Sequence, residues 1–161
     1  MELVIDTCIL EDTSRGVPEA QEFIYFLYQK ILNCEHVICI DHERKILSEY
    51  EQKISENSFG GLLFQKAQDL GKIKIIIANR SHPVCQKVKE ISPVLDEHDL
   101  TFLAVTIRTN DKKFFTNDTG FYEPIGERNI ERDFEGKPIP IEPIRNAGLL
   151  LLDIKSWEKG F

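Results

Sequence analysis

The sequence predicts an α/β domain of three layers, with helices on both faces of a central, mainly parallel five-stranded sheet. Two patterns lead there: short runs apolar at successive positions, as strands covered on both faces require, and intervening segments whose apolar residues recur at helical spacing. The third is their alternation along the chain, which within one sheet implies parallel strands joined by right-handed crossovers.

Leu3, Val4 and Ile5 form the first run, which ends on Asp6. Glu11 to Val17 reads as a loop, and Pro18 suits the opening turn of a helix with Ala20, Phe23, Ile24, Leu27 and Ile31 on one face and Asn33 at its end. Val37 to Ile40 is the second strand. Asp41 is placed to cap a helix whose Ile46, Leu47, Tyr50 and Ile54 make one stripe, bordered by Glu49. Ser58, Phe59 and the pair Gly60-Gly61 lead into a helix with Leu62, Leu63, Ala67 and Leu70, stopped by Gly71. Ile73 to Ala78 is the third strand. Ser81 and Pro83 open a short helix with Val84, Val88 and Ile91 inward. Leu100, Leu103, Ala104 and Ile107 again have helical spacing, and Phe102 and Val105 make that helix apolar on most sides, so it belongs in the core. Phe114 and Phe115 form a fourth strand, broken by Thr116 to Gly120. Gly120 to Gly148, dense in turn residues and charge, is expected to be irregular. Leu149 to Ile154 is the last strand, with Trp157 and Phe161 available to pin the tail.

At 161 residues the chain fits one domain, long enough to bury roughly 70% of the surface that it exposes when unfolded. Four cysteines (Cys8, Cys34, Cys39, Cys85) show no CxxC spacing and read as free thiols, which points to a reducing, cytoplasmic setting. No apolar run approaches 18 residues, and no basic start with an apolar run and cleavage site is present, so a membrane partner is not expected. A net charge of −7 speaks against a broad basic surface, the usual source of sequence-independent nucleic-acid affinity. It leaves room for a nucleic-acid enzyme, because carboxylates that hold a metal add negative charge themselves.

Candidate chemistry concentrates in Asp96 to Asp118, DEHDLTFLAVTIRTNDKKFFTND. Asp96 is placed to cap the buried helix, Asp99 falls in its first turn, and Asp118 follows the next strand. In parallel α/β sheets the site lies outside the carboxyl ends of the strands, where strand order reverses, and Asp6 and Asp118 are both predicted at such ends. If Asp6, Glu49, Asp99 and Asp118 converge, their mutual repulsion must be relieved by protons or by a cation. With oxygen donors and no matching His or Cys, that cation is Mg²⁺ or Mn²⁺, whose chemistry suits phosphodiester hydrolysis.

Asp6 closing a first strand, Glu49 within ILSEYEQ, Asp99 within DLTFLAV and Asp118 within FFTND stand in an order that resembles the PIN-domain ribonucleases over most of residues 1–118. The resemblance implies a Mg²⁺- or Mn²⁺-dependent endoribonuclease that leaves 5′-phosphate and 3′-hydroxyl ends. It maps the family's acids onto Asp6, Glu49, Asp99 and Asp118, and its small hydroxyl residue onto Thr116; Asp96, read from its place as the helix cap, is a candidate supporting group beside them. Partners implied with it are an RNA substrate, a protein antitoxin or regulator, and a homo-oligomer. Cys8 stands where the family often carries a small polar residue, and Gly120 to Gly148 is longer than a minimal domain of this kind needs.

Each acid also has a plain structural reading. Asp6 could be the polar end of a strand, Asp96 and Asp99 helix-start carboxylates, Glu49 a surface charge, and Asp118 a turn former. The histidines His36, His42, His82 and His98 show no ligand spacing. Arg80, Arg108, Lys112 and Lys113 are the basic residues expected nearest the site mouth. Two rivals stay open: a catalytically silent binding or regulatory module with the same fold, and an aspartate-based phosphotransfer protein. The second wants another aspartate at Cys8, or a lysine after a later strand.

Overall fold

Leu3, Val4 and Ile5 have no exposed surface, and the strand they form, β1 (Glu2–Ile5), lies at the centre of the sheet in the computed structural model, which describes residues 1–161. β2 (Val37–Asp41) and β4 (Lys113–Phe115) flank it, with β3 (Ile73–Ile76) and β7 (Leu150–Leu152) at the edges. All five strands run parallel in the order β3-β2-β1-β4-β7. The chain therefore builds outward from β1 through β2 to β3, then returns to the other side of β1 for β4. The boundary between β1 and β4 is the point where the winding reverses.

Phe114 and Phe115 set the layers, because successive strand side chains point to opposite faces. The Phe114 ring stacks on Phe102 of α6 (Glu97–Arg108), centroids 5.7 Å apart, while Phe115 meets Phe23 of α2 (Pro18–Leu32) at 4.8 Å. α3 (Lys45–Lys53) and α5 (Pro83–Ile91) accompany α6. α4 (Phe59–Asp69) packs against α2 on the opposite side. Phe102, Leu103, Ala104 and Val105 are all buried, so α6 is the core helix its sequence predicts. Trp157 and Phe161 close over the sheet, with Phe161 stacked on Phe115 at 5.7 Å.

Three local expectations are corrected. Glu11 to Ser14 is not a loop but the end of a helix, α1 (Thr7–Ser14), which begins directly after Asp6 and packs on α2 and α4. Asp6 is its N-cap, so the first strand turns into a helix within one residue. Asp41 is not the formal cap of α3. That place is taken by Arg44 in the left-handed region (φ 63°), yet the Asp41 carboxylate still accepts from the amides of Lys45 and Ile46, at 3.0 and 2.8 Å. Gly120 to Gly148 contains a hairpin, β5 (Pro124–Ile125) with β6 (Asn129–Ile130), and a short helix, α7 (Glu142–Asn146). Prolines and charges there suppress a long element but permit tight pairing. No helix is long and apolar enough to cross a membrane.

α1 and α4 approach closely at Gly60, whose amide donates to Thr13 Oγ1 at 3.0 Å. A Cβ at Gly60 would stand 2.8 Å from the Leu10 carbonyl oxygen. Gly60→Ala is therefore expected to wedge α4 away from α1 and to cost about 1–3 kcal/mol in urea unfolding. An unchanged midpoint would mean that the two helices are not held at this spacing.

Candidate functional site

Asp6 follows β1 and Asp118 follows β4, so the winding reversal puts both at one edge of the sheet. Thr116 joins them. Its hydroxyl donates to Asp6 Oδ2 at 2.5 Å and accepts from the Asp118 amide at 3.0 Å. Asp6 Oδ1 also accepts from the Cys8 amide at 3.3 Å, the capping bond of α1. Asp118 Oδ1 accepts from the Gly120 amide at 2.8 Å, which shapes the turn and leaves Oδ2 without a protein donor.

Two buried tyrosines hold the backbone on either side of this pair. Tyr50 donates to the carbonyl of Ile5, next to Asp6, and thereby fixes α3 against the end of β1. Tyr122 donates to the carbonyl of Thr116 at 2.8 Å. Asn117 spans the gap to the outer strand, donating to Asp12 of α1 at 2.9 Å and accepting from the Ile154 amide at 2.9 Å. Sequence reasoning missed these roles. Tyr50 reads only as a member of an apolar stripe, and nothing local to Asn117 announces contacts 105 and 37 residues away.

Because α3 is anchored by Tyr50, the adjacent Glu49 is buried at 7% exposure, although its helix is rich in surface charge. Glu49 Oε1 takes a bond from Lys53 at 3.2 Å. Oε2 is fully buried and accepts no hydrogen bond. His98 Nδ1 lies 3.2 Å away, an ion pair when the imidazole carries a proton on both nitrogens. Asp96 and Asp99 exchange bonds in a capping box, Asp99 amide to Asp96 at 3.0 Å and Asp96 amide to Asp99 Oδ2 at 2.8 Å. Half of the Asp99 carboxylate is thus committed to the helix, and Oδ1 is free of protein donors. The remaining strand-end acids are consumed structurally, Asp41 on α3 and Asp153 by Arg132 and Ser156.

Electrostatics shows which acids share a space. Burial pushes the Asp6 carboxyl up to about 6 from its ordinary 3.8, against the pull of the Thr116 and Cys8 bonds, and the charges of Asp118 and Glu49 add to the rise. Burial likewise lifts Asp99 to about 7, opposed by the Asp96 amide and reinforced by Asp118, Asp96 and Asp6. Asp96 is held below its ordinary value: burial works to raise it, and the amides of Asp99 and His98 outweigh that. Burial, then the charge of Asp6, pushes the Cys8 thiol far up, so a nucleophilic thiolate is disfavoured there. Asp6 thus feels the charges of Asp118 and Glu49, and Asp99 those of Asp118, Asp96 and Asp6. As the side chains stand, no three of the His, Cys, Asp or Glu residues come close enough together to hold a metal ion.

No family model matches the chain, and neither curated proteins nor solved structures yield a match.

Of the basic residues expected near the mouth, three lie elsewhere. Arg108 ends α6 and Lys112 and Lys113 precede or open β4, at the amino edge of the sheet. There Asn110 and Asp111 bond to Glu2 at the start of β1. The reason is the crossover: α6 runs back against the strand direction, carrying Asp99 at one edge and Arg108 to the other. Arg80 follows β3 and pairs with Glu97, which also binds Lys45 at 2.5 Å.

The raised Asp6 pKa sets a sign for stability. Between about pH 4 and pH 6 folded Asp6 holds a proton that the unfolded chain has lost, so its contribution to stability falls as pH rises. His36, depressed chiefly by burial, works in the opposite direction, so the comparison is with Asp6→Asn. Without divalent cation, the stability of Asp6→Asn relative to the unsubstituted chain is expected to grow by about 2 kcal/mol between pH 4.5 and pH 7.5. Denaturant titrations at both pH values measure it, and a pH-independent difference would show that Asp6 is not desolvated.

Proposed function

We propose that the chain is a divalent-metal-dependent endoribonuclease, with the carboxyl-edge acids as its active site. The single observation that carries the reading is the junction of β1 and β4, where Thr116 ties Asp6 to the Asp118 turn beside the buried Glu49 and the first turn of α6. This is the place at which α/β sheets hold ligands, and the acids brought there are those the PIN-like order singles out.

The donor set fits Mg²⁺ or Mn²⁺, since it is all carboxylate oxygen, and Glu49 Oε2 is a buried oxygen with no hydrogen-bond partner. Asp6, Asp99 and Asp118 would hold the ion, with Glu49 completing the group. A bound divalent ion supplies charge neutralisation at the phosphoryl oxygens and an acidified water. The chain's own residues do the rest. Thr116 keeps Asp6 in one rotamer, and the capping box holds Asp99 at the rim. In this reading Glu49 either completes the group or orients the attacking water, whose proton passes to solvent as its oxygen bonds to phosphorus. Breakage of the P–O3′ bond, with the departing oxygen taking a proton from water, then leaves a 5′-phosphate and a 3′-hydroxyl.

A second reading, a catalytically silent module with this fold, is favoured by the absence of any three acids within reach of a single ion. Cation binding separates the two. For the nuclease, Mn²⁺ is expected to raise the melting temperature of the unsubstituted chain and not that of Asp118→Asn. Asp99→Asn and Asp118→Asn are each expected to lower Mn²⁺-dependent cleavage of a labelled single-stranded oligoribonucleotide by about 100-fold or more, the equivalent of ~3 kcal/mol at the transition state. Full cleavage by both variants would sink the mechanism. No Mn²⁺ response in the unsubstituted chain would leave the silent module standing.

A further inference from the structure

The carboxyl edge has a second feature, outside the acids and made by the segment that a minimal domain would lack. A cavity of about 450 Å³ opens between the β5–β6 hairpin and the residues after β7, lined by Asn117, Thr119, Arg128, Asn129, Arg132 and Lys155 among others. Asn117 and Thr119 are the two neighbours of Asp118, so the cavity and the acid site share one turn. Arg132 is spoken for by Asp153. Arg128 and Lys155 are exposed and enter no ion pair with a carboxylate, and neither the Asn129 side-chain amide nor the Thr119 hydroxyl makes a hydrogen bond to the protein.

In a chain of net charge −7, three cations facing one carboxylate in a polar cleft are a local reversal of sign. Arg and Lys beside amide and hydroxyl donors are the groups that bind phosphate, and two of these cations are left with nothing else to neutralise. Asn117, held at both ends by Asp12 and Ile154, keeps the cleft wall in place.

We propose that this cleft seats a phosphodiester of the substrate strand, one or more nucleotides from the bond that is cut, with Arg128 and Lys155 as its cationic contacts. The inference rests on the nuclease reading and adds to it the path of the strand, across the Asn117–Thr119 turn toward the hairpin.

The test uses the full chain, an Arg128→Ala/Lys155→Ala double variant, and a Lys66→Ala/Lys87→Ala variant that removes equal charge from α4 and α5. Fluorescence anisotropy with an RNA oligonucleotide of about 12 residues, in EDTA, reads binding apart from cleavage. The cleft variant is expected to bind about tenfold more weakly, with a slope of log affinity against log salt shallower by about 1.4, as the loss of two single-strand phosphate contacts requires. In Mn²⁺ its KM rises while kcat changes less than about twofold, since truncation removes binding that is equal in ground and transition states. The remote variant should match the unsubstituted chain. A DNA oligonucleotide should show the same loss, and a loss confined to RNA would overturn the phosphate assignment. Unchanged binding in the cleft variant, an equal loss in the remote one, or no RNA binding by the unsubstituted chain would overturn the cleft. If cleavage proceeds while the cleft variant is unaffected, the nuclease reading stands alone. If RNA binds through the cleft but Mn²⁺ elicits no cleavage, the nuclease reading fails and the cleft survives as a nucleic-acid site.

Discussion

The hydrogen bond from Thr116 to the buried carboxyl of Asp6 is the contact on which the carboxyl edge depends. Asp6 must leave a strand with no exposed surface and enter a helix in a single step, so its side chain cannot turn to water. Each of its oxygens is met by a donor, one from the helix it caps and one from the neighbouring strand. A buried polar group without such partners would cost several kcal/mol, and a buried charge more. The same hydroxyl receives the Asp118 amide, so a single atom sets the spacing between the two strand ends.

Around that bond the fold adds constraints of a different kind. Tyr50 and Tyr122 are apolar over most of their surface and polar at the tip, which lets each fill core volume while its hydroxyl satisfies a carbonyl at a strand end. Tyr50 in particular converts core packing into site geometry, because burying its ring beside Phe64 and Phe102 carries Glu49 into the interior. The result is a site whose charges are crowded by the core beneath them. That crowding is visible in the raised values of Asp6 and Asp99, groups that a solvated surface would leave acidic.

The acid group and the cationic cleft divide one edge between them. The acids come from the central strands and the helices that flank them; the cations come from the hairpin segment and the tail after β7. Opposite signs side by side across one turn are what the proposed reading asks of this edge, with a strand's phosphates meeting the cleft directly and the acids only through a bound cation.

Alternation of apolar runs with helical periodicity was enough to place the five strands and the buried α6, since burial on both faces leaves a continuous apolar signature. The aspartates at strand ends and in the first turn of α6 were legible for the same reason, as polar residues where an apolar run stops. The helix α1 was not, because its short stretch of Thr, Cys and acids has weak periodicity and is held by packing on α2 and α4. Nor could the sequence say which strand-end acids are spent on structure. Asp41 and Asp153 look like Asp6 and Asp118 along the chain, and their contacts separate them: Asp41 accepts from the start of α3 and Asp153 from Arg132, while β4 beside β1 joins Asp118 to Asp6 through Thr116. Local pattern sets the central strands and α6; which side chains meet follows from packing, because it depends on contacts more than a hundred residues apart, such as Thr116 with Asp6.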